Sequence, residues 1–375
     1  MGILKVAWDN HYVQRNEGGT GVYGACLLQQ LARRDDLQVE VLNGWQARQP
    51  RRSFATRAMG VLGDLFWTHF ALPKSVSRRG VDVLHVPALA APLDSPCPVV
   101  ITVHDITFLL YPTHFRRWLV TYLKAVMPPA LRAASAVICV SEHTRRDIVS
   151  AFGVSSDKVY VVPHGVDHQR FYPAAGLDGS WARKLGLREG YILHVGTLSS
   201  RKNIPTLLRA FARLRSQGQG LSRQLVLAGQ EAPGLAGAAE IHESVRQLDL
   251  TSSVVFAGHV SDERLPGLYA RASVLAMPSL YEGFGFPILE SMAAGTPVVA
   301  SNTSSLPEVA GDAAILVAPL DEQALAAAIA DILFNPQLGQ ELRSKGLKRA
   351  QQFSWQRAAS ETMAIYRRVA NCGSG

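Results

Sequence analysis

The 375-residue sequence has few of the features that mark secreted, metal-binding or membrane-spanning proteins. Its four cysteines, Cys26, Cys97, Cys139 and Cys372, form no Cys-x-x-Cys pair, which argues against a disulfide framework and a zinc site. No uncharged apolar run reaches the roughly 20 residues that a bilayer crossing needs. Residues 1–5 lead straight into a predicted strand without a signal segment. These absences predict a protein of the reducing cytoplasm.

Acidic residues are too few to balance the basic ones. The formal net charge is +8, and residues 1–173 carry 19 Lys and Arg against 13 Asp and Glu, whereas residues 174–375 carry 19 against 17. A basic N-terminal half would suit an anionic membrane surface or an anionic acceptor. Nucleic acid is a rival partner, but the sequence contains no nucleic-acid-binding motif. A basic surface that is merely solvated is the third interpretation.

Strand and helix patterns alternate along both halves of the chain. The length predicts two domains of ordinary size. Strands 81–86 and 99–103 are almost entirely apolar, which is typical of a parallel sheet covered on both faces. The alternation therefore predicts an α/β fold of two doubly wound, Rossmann-like domains. Residues 163–179, rich in proline and glycine at their end, are the predicted hinge.

The most informative stretch is Ser279–Pro297, which reads SLYEGFGFPILESMAAGTP. It places Glu282 in a glycine turn after an apolar strand and Glu290 in the helix that follows. Gly283 and Gly285 lack a Cβ, so backbone N–H groups can approach a ligand closely. A glycine turn that opens a helix is a ready site for anions and polar ligands. Taken singly, the two carboxylates are as well explained as a solvated loop acid and a helix cap.

Two further positions carry candidate binding chemistry. Arg201 and Lys202 stand at the predicted start of a helix, where two cations oppose the helix dipole. A bound diphosphate would explain them, and a solvated basic turn is the alternative. His104 ends a strand and is followed by Asp105, so we expect it to point into a ligand crevice. Asp105 would hold the imidazole or contact a substrate; a histidine that only bonds a neighbouring loop is the plainer alternative.

A glycine loop, Gly18–Gly21, separates the predicted strand Ile3–Trp8 from the predicted helix Val22–Arg34. This order of elements is how a phosphate meets a helix N-terminus. The spacing is not the G-x-G-x-x-G of dinucleotide-binding folds, so the loop alone is weak evidence.

Three segments of the N-terminal half are basic, aromatic or both. Val61–Leu72 is amphipathic and aromatic, His114–Ala134 mixes basic and aromatic residues, and Gln46–Arg57 contains four arginines and no acid. Such segments are suited to a lipid surface or to holding an acceptor. A core helix and a solvated basic face are the alternatives.

The string E-G-F-G-F-P-x-x-E, followed by A-A-G-T-P-V-V-A-S, resembles the signature of the family 4 retaining glycosyltransferases, which use nucleotide-sugar donors. The resemblance covers the whole chain. It implies the GT-B fold, with two Rossmann-like domains facing a cleft and a C-terminal helix that crosses back to the N-terminal domain. Residues 1–170 with helix 355–375 would bind the acceptor, and residues 171–354 would bind the donor.

The resemblance also implies roles for the candidate residues. Glu282 and the backbone of residues 283–286 would hold the donor sugar, and Glu290 would hold the ribose hydroxyls. Arg201 and Lys202 would bind the diphosphate, and His104 would lie beside the reacting sugar carbon. The implied catalytic residues are His104, Glu282, Arg201 and Lys202. The implied donor-binding residues are Gly19, Gly21, Gly196, Arg201, Lys202, Val260, Gly283, Phe284, Gly285, Phe286 and Glu290.

Within the family, the strings T-L-S-S-R-K-N and S-L-Y-E-G-F-G-F-P look most like bacterial mannosyl- and rhamnosyltransferases of O-antigen and related surface polysaccharides. That resemblance implies a GDP-linked hexose or 6-deoxyhexose donor. It also implies a lipid-linked glycan acceptor at the inner face of the cell membrane, which the basic N-terminal half would contact. The sequence has no D-x-D motif, so we expect no metal and no cofactor. A UDP-sugar donor and a non-catalytic nucleotide-binding module are the alternatives.

Overall fold

The structure, a computed structural model, describes residues 2–15, 18–44, 63–88, 90–173, 179–218, 223–231 and 237–372. They divide into two compact units. The first unit comprises Met1–Leu109, Trp118–Gly165 and Trp355–Gly375, and the second comprises Leu110–Arg117 and Val166–Ser354. The predicted basic segment Gln46–Arg57 lies outside the described residues, as do residues 174–178 of the predicted hinge.

The first unit is built on a six-stranded parallel sheet in the order β2-β1-β3-β4-β5-β6. The strands β3, β4 and β5 are buried along their whole length, as the apolar runs predict. The strand order reverses between β1 and β3. The strands are β1 (Leu4–Asp9), β2 (Leu37–Leu42), β3 (Val83–Val86), β4 (Val99–Val103), β5 (Ala136–Cys139) and β6 (Val159–Val161).

Helices cover this sheet, and two of them begin at positions that differ from the prediction. Helix α1 begins at Gly19 and not at Val22, so Gly19 and Gly21 lie in its first turn and not in a preceding loop. The helix predicted from His114 begins at Arg117, because Pro112–His114 forms a separate 3-10 turn. The helices are α1 (Gly19–Leu31), α2 (Leu72–Arg79, which continues π-helical Trp67–Ala71), α3 (Thr107–Leu110), α4 (Arg117–Ala133) and α5 (Glu142–Phe152).

The C-terminal helix, Trp355–Cys372, belongs to the first unit and is tied to its sheet by a buried chain of hydrogen bonds. The Tyr366 hydroxyl contacts Nδ1 of His85. Nε2 of His85 lies 2.8 Å from Oγ1 of Thr102, which lies 2.8 Å from the Tyr23 hydroxyl on α1. All four side chains are buried. Because burying a polar group is costly unless it is hydrogen-bonded, each of these four side chains depends on its neighbours for a hydrogen-bond partner.

The second unit repeats the architecture with the strand order β12-β11-β10-β7-β8-β9, again all parallel. The order reverses between β7 and β10. The short strand β12 was not among the predicted strands. The strands are β7 (Ile192–Val195), β8 (Leu225–Ala228), β9 (Val254–Gly258), β10 (Val274–Met277), β11 (Val298–Ser301) and β12 (Ile315–Val317).

Eight helices among the described residues belong to the second unit. Leu207 and Phe211 of α7 and Ile329 of α12 lie in the core that these helices form with the sheet. They are α6 (Ser180–Lys184), α7 (Ile204–Ser216), α8 (Ala238–Gln247), α9 (Leu265–Ala270), α10 (Phe286–Ala293), α11 (Leu306–Ala310), α12 (Glu322–Phe334) and α13 (Pro336–Ala350).

The two sheets confirm the predicted α/β class with two doubly wound domains. The division falls after Gly165, whereas the sequence placed it after residue 170, and Leu110–Arg117 groups with the second unit. Within the described ranges, every helix is too short or too polar to cross a bilayer.

Replacing Tyr366 with Phe should destabilise the first unit. The substitution keeps the ring but removes the hydroxyl, so one nitrogen of the buried His85 loses its partner, at a cost of about 1–3 kcal/mol. Urea unfolding followed by tryptophan fluorescence measures this, because the Trp8 ring lies 4.7 Å from the His85 ring. Tyr172→Phe, on an exposed tyrosine, is the control. An unchanged unfolding midpoint for Tyr366→Phe would show that these buried hydrogen bonds do not stabilise the first unit.

Candidate functional site

The candidate site of the second unit lies where its strand order reverses. Strand β7 leads to Gly196 and the turn Ser200–Lys202, and β10 leads to the loop Ser279–Gly285. The N–H of Leu280 donates to the carbonyl of Arg201 at 2.9 Å, which fastens one loop to the other. Open parallel sheets bind ligands at this edge, at the carboxyl ends of the two strands that flank the reversal.

Glu282 is held between two cations in this crevice. Its Oε1 lies 2.7 Å from Nζ of Lys202, and its Oε2 lies 2.8 Å from Nη1 of Arg201. Burial alone would raise the pKa of Glu282, but the charges of Arg201 and Lys202 outweigh burial and lower it to about 2. The carboxylate is therefore ionised at neutral pH, and the three side chains carry a formal net charge of +1.

The family resemblance implies that Glu282 faces the donor sugar and that Arg201 and Lys202 face a diphosphate. The structure brings all three side chains together in one cluster. Arg201 also donates to the carbonyl of Tyr281 at 2.6 Å, so the arginine is tied to the loop that carries Glu282. Sequence reasoning missed this pairing because the residues are distant in the chain, and only the sheet order brings their loops together.

Gly196 leaves room for the ammonium group of Lys202. A Cβ at Gly196 would lie 2.8 Å from Cε of Lys202 and 3.0 Å from its Nζ, and the residue has a φ of +145°. Asn203 follows in a left-handed conformation with a φ of 54°, and its Nδ2 donates to the carbonyl of Pro278 at 3.0 Å. Lys202 is therefore held in a buried position by both the β7 loop and the β10 loop.

The glycine turn after Glu282 is shaped by its neighbours. Gly285 has a φ of 117° and precedes α10 without a side-chain cap. The hydroxyl of Ser305 donates to the carbonyls of Glu282 and Phe284 at 2.9 and 2.7 Å. Phe284 is buried and packs edge-on against Phe286, with ring centroids 5.6 Å apart. Among residues 283–286, Phe284 can therefore offer a ligand only its backbone.

Glu290 has its own partners and lies in the second turn of α10. Its Oε2 accepts a hydrogen bond of 2.7 Å from the hydroxyl of the buried Tyr269. Burial raises the pKa of Glu290, and the Tyr269 hydrogen bond and the charge of Arg170 act against this rise. Arg170 also pairs with Asp262 at 3.1 Å. Tyr269 and Arg170 are candidate site residues that the sequence analysis missed.

The second unit also takes in Leu110–Arg117 from the N-terminal half of the sequence. The Tyr111 ring lies 5.9 Å from the Tyr281 ring and stacks on His114 at 5.5 Å. Burial and the charge of Arg201 lower the pKa of His114. Tyr111 and His114 are therefore further neighbours of the cluster that no local sequence signal indicated. The remaining predicted donor residue of this unit, Val260, is buried just after β9.

Of the predicted residues of the first unit, His104 directly follows β4, whereas Gly19 and Gly21 lie in the first turn of α1. Nε2 of His104 lies 3.3 Å from the carbonyl of Pro87, so Nε2 carries the proton and Nδ1 carries the lone pair. Burial lowers the pKa of His104 to about 4, although the charge of Asp105 acts against it. Asp105 accepts a hydrogen bond of 2.9 Å from the N–H of Thr107, and its charge also acts on the imidazole of His104.

Rings surround His104 within the first unit. Tyr23 meets it edge-on with ring centroids 4.9 Å apart, and His164 lies 5.5 Å away. Trp355, the first residue of the C-terminal helix, lies 5.7 Å from His164. Burial lowers the pKa of His164, and His104 lowers it further. The rings around His104 are thus neutral at neutral pH, and Asp105 supplies the charge that acts on it, in contrast to the cationic cluster of the second unit.

Two protein-family models match the chain. Glycosyltransferase Family 4 matches residues 17–170, and Glycosyl transferases group 1 matches residues 180–351. Among curated proteins, the O-antigen chain mannosyltransferase B of Escherichia coli is 33% identical over 72% of this chain and 70% of that protein. The MMP alpha-(1->4)-mannosyltransferase of Mycolicibacterium hassiacum is 32% identical over 89% of this chain and 80% of that protein.

Solved structures share the fold. A sucrose-phosphate synthase from Thermosynechococcus elongatus has a TM-score of 0.77 at 23% identity, covering 98% of this chain and all of that one. HepE of Anabaena, solved in complex with UDP and glucose, has a TM-score of 0.73 at 22% identity, covering 99% of this chain and all of that one.

The two doubly wound domains and these matches define a glycosyltransferase of the GT-B type. The chain belongs to glycosyltransferase family 4, which confirms the resemblance of the glycine-rich signature.

Replacing Glu282 with Gln should destabilise the second unit, because it leaves Arg201 and Lys202 without a counter-charge. Removing one partner from a buried ion cluster costs about 3 kcal/mol or more. The contribution of Glu282 is fully present above the ordinary carboxyl pKa of 4.5 and is lost as the pH falls toward 2. Urea unfolding of both proteins at several pH values tests this. The stability gap should shrink below pH 4.5, whereas Glu240→Gln, on an exposed acid, should show no gap. A gap that does not depend on pH would contradict the pairing.

Proposed function

We propose that this glycosyltransferase moves a hexose or 6-deoxyhexose of the mannose or rhamnose type from a nucleotide-sugar donor, GDP-linked, to a lipid-linked glycan. The observation that carries the proposal is the Arg201–Lys202–Glu282 cluster at the strand-order reversal. Its net positive charge suits the diphosphate of a nucleotide sugar. Such a site would stabilise the negative charge that develops on the leaving diphosphate without a metal ion.

Each member of the cluster has a distinct task in this proposal. Arg201 and Lys202 bind the diphosphate. Glu282 orients both cations and accepts hydrogen bonds from hydroxyls of the donor sugar. Glu290, whose raised pKa reflects its burial, accepts hydrogen bonds from the ribose hydroxyls. The backbone of the Gly283–Phe286 turn contacts the sugar. The N-terminus of α1 at Gly19 would face phosphate oxygens, whereas the N–H of Gly21 already donates to the carbonyl of Gly18 at 2.9 Å.

We further propose that transfer retains the anomeric configuration. The acceptor hydroxyl forms its bond to the anomeric carbon on the face from which the diphosphate departs, and a phosphate oxygen of the leaving group takes the hydroxyl proton. The low pKa and double ion pair of Glu282 support this, because a carboxylate held in this way is a poor nucleophile. His104, neutral at physiological pH, would contact the donor beside the reacting carbon.

The relatives support mannose as the transferred sugar, and they leave two candidates for the nucleotide of the donor. Two of the curated relatives are mannosyltransferases, and one of them acts on the O-antigen chain. HepE was solved with UDP, so a UDP-linked sugar is the alternative donor. The proposed place of work is the inner face of the cell membrane, where the basic N-terminal half would meet anionic lipid.

Calorimetric titration with GDP, UDP and ADP, without added metal, tests the donor class. We expect GDP to bind, and we expect Lys202→Ala to weaken binding by about tenfold or more because the diphosphate loses a charge-assisted hydrogen bond. Lys184→Ala, on an exposed lysine of the same unit, is the matched control. Preferred binding of UDP would select the alternative donor, and equal binding by Lys202→Ala and the wild type would refute the assignment of the cluster.

Three substitutions test the catalytic assignments. His104→Ala, Glu282→Ala and Lys202→Ala should each lower turnover of the donor by about tenfold or more, because each removes a group proposed to act on the reacting donor. Turnover is measured with radiolabelled GDP-mannose and membrane-extracted acceptor, and circular dichroism confirms that each variant is folded. His168→Ala, on an exposed histidine, should retain activity. Wild-type turnover in all three variants would overturn the site.

A further inference from the structure

The helical segment before β3 carries aromatic rings on its exposed face. Phe66 is 63% exposed and Phe70 is 68% exposed, and their rings stack with centroids 5.8 Å apart. Lys74 and Arg78 are also exposed and continue the spacing of four residues. These four side chains, called here the Phe66–Arg78 stripe, form one face of the segment, because residues four apart share a face of a helix.

Packing within the first unit does not explain the two phenylalanines. The same segment already buries Thr68, Leu72 and Val76 against the unit. A surface helix normally turns its largest apolar side chains inward and leaves small or polar ones outside. The core helix weighed as an alternative in the sequence analysis accounts for the buried face only, so the outward face needs another explanation.

The charges beside these rings are of one sign. Lys74 and Arg78 form no ion pair with any residue that the structure describes. Arg79 pairs with Glu40 at 2.9 Å, and Asp64, the only acid between residues 63 and 80, pairs with His11 at 2.9 Å. The stripe therefore presents two cations with no nearby acid on its own face.

A second helix with the same character lies next to this segment. The Tyr12 hydroxyl lies 3.4 Å from Oγ1 of Thr68, and Tyr12 also acts on the pKa of Tyr122 of α4. On α4, Trp118 is 49% exposed and Lys124 is exposed, and residues 118–133 contain no acid. Two neighbouring helices thus each expose aromatic and basic side chains.

We propose that the Phe66–Arg78 stripe is the surface by which the first unit binds an anionic lipid bilayer. The phenylalanine rings enter the boundary between head groups and acyl chains, and Lys74 and Arg78 lie on the anionic head groups. The stripe combines exposed aromatic rings with two cations that have no acid on the same face. This combination favours an anionic bilayer over a neutral one. This inference deepens the membrane contact proposed above and names the residues that make it.

The test is co-sedimentation of the purified protein with vesicles of phosphatidylcholine, with and without phosphatidylglycerol. We expect binding only to the anionic vesicles, with loss of binding at high salt. The double variant Phe66→Ser/Phe70→Ser and the double variant Lys74→Glu/Arg78→Glu should each lower the bound fraction by about tenfold. Phe334→Ser, on a phenylalanine of the second unit that is 54% exposed, is the matched control and should bind like the wild type.

Several outcomes would overturn the inference. Equal binding to neutral vesicles, or undiminished binding by both double variants, would exclude the stripe as an anionic-lipid surface. If light scattering shows that the wild type is a dimer and that Phe66→Ser/Phe70→Ser is a monomer, the stripe would be assigned to self-association instead. GDP titration of the same variants separates this inference from the proposed function, because donor binding should persist in variants that fail to bind vesicles.

Discussion

A carboxylate held between two cations at the reversal of a parallel sheet is the interaction on which the site of the second unit depends. Three buried or part-buried charges are tolerated only when each has a partner, because the cost of removing them from water must be offset by their mutual attraction. The loops after β7 and β10 must therefore keep a fixed relation. Three features hold the two loops in place: the hydrogen bond from Leu280 to Arg201, the absence of a Cβ at Gly196 and the left-handed conformation of Asn203.

Such a cluster is prepared for an anionic ligand before one arrives. Glu282 keeps the long side chains of Arg201 and Lys202 ordered, so less conformational entropy is lost when a ligand binds them. One carboxylate against two cations leaves a positive charge in a crevice that is shielded from water. Electrostatic attraction is stronger there than at an exposed surface. The pairing that stabilises the fold is therefore also the one that would favour a diphosphate.

Much of the fold could be predicted from the sequence, because it follows from local patterns. Apolar runs identified most strands, and the glycine-rich signature around Glu282 identified the edge of the sheet where the cluster lies. The start of α1 was missed because glycine is a poor helix former, although Gly19 and Gly21 are tolerated in a first turn. Pairings between distant residues, such as Tyr269 with Glu290, could not be predicted, because they depend on tertiary packing that leaves no periodic signal.

The protonation states of the two sites bear on how a retaining transfer would dispose of a proton. Glu282 has a pKa of about 2 and His104 a pKa of about 4, so both are poor proton acceptors at neutral pH. Nε2 of His104 already donates to the Pro87 carbonyl, so His104 is also poorly placed to act as an acid through that nitrogen. A phosphate oxygen, with a second pKa of about 6, is a better acceptor than either side chain. The leaving diphosphate is therefore a better base than either side chain for the same-face displacement proposed above.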